Sequence, residues 1–155
     1  MSAFFMEMRR VLFSSSCSPT LAQCVKNVNA RRFEQTYSLA VETICDRHYV
    51  DDYADCFQTE KEAIKTVKEV IFIHQKAGFK LRQINSNSTK VKQLCNNILD
   101  AVSIDKDVDR ILGMYWCTST DYFILRSHTA RYTTVQSQAN KARVVEVAHV
   151  NFRSV

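Results

Sequence analysis

Glycine and proline are nearly absent from this chain: its 155 residues include only Gly78, Gly113 and a single proline, Pro19. A phosphate-cradling P-loop and a G-x-G-x-x-G dinucleotide turn each need several glycines in a short window, so both are excluded. Neither glycine follows an Asp-Thr or Asp-Ser pair, which excludes the aspartic peptidase signature. Long apolar runs are missing too; none approaches the roughly 18 residues that span a bilayer. Met1-Ser2-Ala3-Phe4-Phe5-Met6 runs at once into Glu7, Arg9 and Arg10, which is not the charge order of a signal peptide. An intracellular, cytoplasmic product with no membrane partner is therefore expected. The cysteines form no C-x-x-C pair and have no histidine at zinc-ligand spacing, so they read as small reduced core residues.

What is present is globular: 46% hydrophobic and 24% charged residues, in a length that suits one ordinary domain with a real core. A formal charge of +5 permits an anionic partner. The basic residues are dispersed rather than blocked, in small clusters such as Arg9-Arg10, Arg31-Arg32 and Lys65/Lys68. Solvated helix faces and a surface that follows a phosphate backbone would look alike.

Residues 7–13 are compatible with a short strand. Ser18-Pro19 then reads as a helix start, and Leu21, Cys24, Val25 and Val28 give that helix, running to about Phe33, one apolar stripe. Thr59-Glu60-Lys61-Glu62 is a capping box. It opens a helix with Ile64, Val67, Val70/Ile71 and His74 on its apolar side, and Gly78 falls where a left-handed residue would end it. His74 reads as a core or boundary histidine. Residues 79–84 alternate as a half-buried strand, and a helix follows with Val91, Leu94, Cys95 and Ile98 in period. Residues 100–108 look like an exposed connection. Residues 110–116 and 121–125 read as two strands, and the tail favours a helix over about 139–148. The expected fold class is α+β with a mainly antiparallel sheet packed on helices.

Residues 44–50 read as a strand and 53–57 as its return, leaving Asp51 and Asp52 to form the turn. Two adjacent carboxylates repel one another, and Asn-Gly would build such a turn more easily. A tight hairpin carrying that pair is suited to holding a cation, although a solvated acidic turn accounts for a lone pair equally well.

Taken in order, these segments resemble the palm of a retroelement reverse transcriptase, and specifically the BEL/Pao class of LTR retrotransposon. Phe13-Ser14-Ser15-Ser16-Cys17-Ser18-Pro19-Thr20-Leu21-Ala22 resembles the family's approach to its template- and nucleotide-facing helix. His48-Tyr49-Val50-Asp51-Asp52 resembles its catalytic hairpin. Gly78-Phe79-Lys80-Leu81-Arg82 with Ser86-Asn87-Ser88 resembles the following strand and loop, and Ile111-Leu112-Gly113-Met114-Tyr115-Trp116 the hairpin that grips the primer. The resemblance covers residues 8–126 as a partial palm, with 127–155 as the start of a connection or thumb-side segment.

The resemblance implies template-directed DNA synthesis by two-Mg²⁺ nucleotidyl transfer on an RNA or DNA template–primer with deoxynucleotides, within a longer polyprotein. Asp51 and Asp52 would ligate metal, Phe13, Ser14, Ser18, Pro19 and Tyr49 would face nucleotide or template, and Leu112, Gly113, Met114, Tyr115 and Trp116 would form the primer grip. Two departures qualify this. No aspartate precedes Asp46, whereas the family's metal site draws another from an upstream strand. Ser14 stands where the family usually carries glycine. An N-terminally truncated palm, inactive by itself, is therefore expected. The alternatives are a non-catalytic nucleic-acid-binding remnant of a decayed element, and a chain that does not fold alone.

Overall fold

The computed structural model describes residues 16–50, 52–99, 108–111, 114–126, 132–135 and 144–151. Its first helix, α1 (Ser18–Arg31), begins at the predicted place, with Pro19 in the first turn where a missing N–H costs nothing. The face it buries is not the predicted one. Leu21, Val25 and Val28 are 46%, 51% and 51% exposed, while Lys26, Asn29 and Ala30 are buried. The inward stripe is Ala22, Lys26, Ala30 and Phe33, whose small residues let α1 approach its neighbours closely. Asn29 makes this polar face tolerable at one point, its Nδ2 donating to the Ile73 carbonyl at 2.8 Å.

Residues 44–50 are not one strand. Helix α2 (Ser38–Asp46) takes up the first part and buries Ala40, Val41, Thr43 and Ile44. Only His48–Tyr49 is extended, as β1, and it pairs antiparallel with β2 (Asp52–Phe57). The β-branched residues Val41, Thr43 and Ile44 suggested extended backbone, but packing of one apolar face against α1 and the next helix outweighs a propensity worth a few tenths of a kcal/mol per residue.

Helix α3 (Glu60–Lys76) forms as the capping box predicts, with the Thr59 hydroxyl accepting from the Glu62 N–H at 3.2 Å. It stops in a Schellman motif: the Phe79 N–H reaches the His74 carbonyl and the Gly78 N–H the Gln75 carbonyl, both at 3.0 Å. Gly78 has φ +75°, and open space surrounds the position of a Cβ. The backbone conformation, not crowding, requires glycine there.

Strand β3 (Lys80–Ser86) and helix α4 (Thr89–Ile98) follow. The Asn96 amide bonds both backbone groups of Ile84, each at 3.1 Å, so α4 caps an edge strand that would otherwise expose its ladder. The starts of α3 and α4 are tied together by Glu60, which accepts from the Ser88 hydroxyl at 2.7 Å and pairs with Lys90 at 3.6 Å.

The tail also differs from expectation. Val144–Asn151 is a strand, β8, and not the middle of a helix; residues 139–143 lie outside the described residues. It is inserted between β2 and β3, giving an antiparallel sheet of order β1-β2-β8-β3. The second sheet is a meander of β4 (Val108–Ile111), β5 (Met114–Cys117), β6 (Tyr122–Arg126) and β7 (Tyr132–Val135). The predicted strand over 110–116 is thus a hairpin, β4 pairing with β5. Four helices and two antiparallel sheets among the described residues make the class α+β.

Tyr53 and Phe57 point from β2 into the main core with Val67, Val70, Ile71, Leu81, Ile84 and Val91. Alternation sends Ala54 to the other face, where it meets the fully buried Trp116 of the second sheet. Cys95 alone among the six cysteines is buried; Cys17, Cys24 and Cys56 are exposed, so the expectation of core cysteines fails for those three. No helix among the described residues is long and apolar enough to cross a membrane.

Candidate functional site

In the β1–β2 hairpin His48 pairs with Tyr53 and Tyr49 with Asp52. The connection is therefore residues 50 and 51, and Asp52 belongs to the return strand instead of the turn. Val50 has φ +56°. That region favours Gly or Asn, and for a β-branched side chain it is a strained conformation worth roughly 1–3 kcal/mol. Tyr49 is 70% and Val50 40% exposed, so the tip projects from the surface, while Asp52 is half-buried at its base.

Helix α1 runs beside this tip. Pro19, Thr20, Gln23, Cys24 and Asn27 face His48, Tyr49 and Val50 across a groove of about 470 Å³. The structure thus brings Pro19 together with Tyr49. Ser18 is half-buried one residue away on the same helix turn. Asp51, Phe13, Ser14, Leu112 and Gly113 lie outside the described residues. Of the remaining grip-like residues, Met114 and Tyr115 are half-buried, and Trp116 is a packing group whose Nε1 donates to Asp121 Oδ1 at 3.0 Å.

Beneath the hairpin lies a cluster that the sequence reading did not single out. The rings of His48 and His74 stack at 5.1 Å, and His48 stacks on Tyr53 at 4.8 Å. His74 Nδ1 is 2.9 Å from the Val70 carbonyl, which fixes Nδ1 as the donor. Its Nε2, both nitrogens of His48 and the Nζ of Lys26 are buried with no hydrogen-bond partner among the described residues. Burial pushes His48 down to about 2, helped by the nearby charges of Lys26 and His74; the carbonyls of Thr43 and Ile44 pull weakly the other way. His74 is held at about 4, again mainly by burial. Burial lowers Lys26 to about 8, partly countered by the Cys45 thiol. The imidazoles are thus neutral at pH 7 while Lys26 is mostly charged. The available signal was Lys26 interrupting the Ala22, Ala30, Phe33 stripe.

No three His, Cys, Asp or Glu side chains among the described residues come close enough to hold a metal ion. The residue opposite Asp52 on β8 is His149, not a carboxylate. Asp52 is the one described member of the predicted ligand pair, so the described donor set does not fit two Mg²⁺ ions. No protein-family model, curated protein or solved structure significantly matches this chain.

Proposed function

We propose that the chain is the partial palm of a BEL/Pao-type retrotransposon reverse transcriptase, whose parent enzyme carries out template-directed DNA synthesis. The observation that carries the reading is the hairpin tip. A two-residue connection is built from Val50 and Asp51, neither of which suits it, where Asn-Gly would be relaxed. Strain of this kind is kept where position matters more than stability. Here it projects Tyr49 beside the first turn of α1, the neighbour that the resemblance assigns to template and nucleotide.

In the parent, Asp51 and Asp52 would be the hard oxygen ligands of Mg²⁺, with Ser18, Pro19 and Tyr49 against the substrate and primer end. No catalytic step is assigned to the chain alone, because its described donor set is incomplete. The remainder of the polyprotein is the natural partner in this reading.

The competing reading is a nucleic-acid-binding remnant without catalysis, which the +5 charge favours. The two are separated by fluorescence anisotropy with a recessed 3′-end primer–template and a blunt duplex of equal length. The palm reading predicts several-fold tighter binding to the recessed end, weakened by Tyr49→Ala. Equal affinity for both, falling with salt and indifferent to Tyr49→Ala, would favour the remnant.

A further inference from the structure

The groove between α1 and the hairpin has a polar floor for which the polymerase reading has no use. Gln23 Oε1, Asn27 Oδ1 and both ring nitrogens of His48 are buried there without partners among the described residues. His48 is 8% exposed and lines the groove directly. Lys26, 1% exposed, brings an unpaired ammonium close enough to His48 to disfavour its protonation. The first turn of α1 contains no acidic residue, so the positive end of its dipole is uncompensated. Native proteins leave few buried polar atoms unsatisfied, and a buried cation without a counter-charge is rarer still.

These groups specify their ligand. The lysine, the helix end and one imidazole N–H call for an anion. The two amide oxygens, as placed, call for a hydrogen-bond donor on the same ligand. A phosphate monoester or inorganic phosphate meets both demands, since its ionised oxygens accept while its remaining O–H donates. A phosphodiester has no O–H to give and would leave the amide oxygens unpaired. A carboxylate has the charge but no donor. We infer that the groove is a binding site for a terminal phosphate group, held by His48, Gln23 and Asn27 with the charge of Lys26 beneath them. Entry past Pro19, Cys24 and Val50 requires no opening of the core. The inference does not depend on the polymerase reading.

The test is calorimetric titration of the full chain at neutral pH with inorganic phosphate, and separately with dimethyl phosphate and acetate. Saturable binding of inorganic phosphate is expected, with little or none of the other two. Lys26→Met should weaken it at least about tenfold, the worth of one charge-assisted hydrogen bond, while raising thermal stability in phosphate-free buffer. His48→Phe, which keeps the ring stack, should also weaken it. Absence of saturable phosphate binding, equal binding of dimethyl phosphate, or phosphate affinity unchanged in Lys26→Met would each overturn the site.

Discussion

Val50 and Lys26 are the residues at which this chain departs most from what stability alone would choose. Each departure has a measurable cost. Replacing Val50 by Asn supplies a residue that tolerates φ near +56° and should stabilise the chain by about 1 kcal/mol, read as an increase in urea midpoint without a change in slope. A lower midpoint would mean that the valine side chain is packed rather than strained. For the buried bases the sign follows from proton uptake. His48 at about 2 and His74 at about 4 are both depressed, so the unfolded chain binds more protons than the folded one below its ordinary imidazole value of 6.5. Their contribution is complete above pH 6.5 and is lost progressively as the pH falls towards those values. Lys26, at about 8 against 10.5, makes stability rise with pH across that interval. Urea midpoints measured at pH 7 and pH 5 should therefore fall on acidification, and less so in His48→Phe. A midpoint that does not move between the two would contradict the burial of neutral imidazoles.

At the scale of elements, α3 was the most legible in sequence because each of its ends carries a local instruction. Thr59 and Glu62 define the start through a bond between near neighbours, and Gly78 defines the end through a backbone conformation. Neither depends on distant contacts. Helix α2 and strand β8 are set by tertiary partners: Ile44 and Val41 are buried by packing against other helices, and Val144–Asn151 is extended because β2 and β3 flank it. Helix α1 shows the same limit more sharply, since its apolar periodicity is real but marks the outer face. The consequence is testable. Leu21→Ser should change stability by no more than about 0.5 kcal/mol, as a substitution on an exposed surface does. Asn96→Ala, which strips both backbone groups of Ile84 of their partner, should cost roughly 2–3 kcal/mol. A large loss for Leu21→Ser would mean that the stripe is covered in solution. A negligible loss for Asn96→Ala would mean that the β3 edge has other support.

For the molecule as a whole, the candidate site was legible in its parts and not in its assembly. The Tyr-Val-Asp-Asp tetrapeptide and the Ser-Pro helix start were recognisable separately, and the structure places Pro19 and Tyr49 on opposite walls of one groove. The buried Lys26–His48–His74 cluster was not legible, because it joins residues from α1, β1 and α3 that no spacing rule connects. Insertion of β8 gives β2 a neighbour on each side, so the hairpin's return strand is not left with an open edge. A single cooperative thermal transition of the purified chain is the expected result, and a broad non-cooperative melt would speak against the sheet order. The central claim is that the tip and the first turn of α1 form a surface for primer–template, and amide-resolved NMR of the full chain titrated with a recessed 3′-end duplex tests it most directly. The account predicts shifts concentrated at Ser18, Thr20, Tyr49, Val50 and Asp52 that weaken as salt is raised; shifts centred elsewhere, or none at the hairpin, would contradict it.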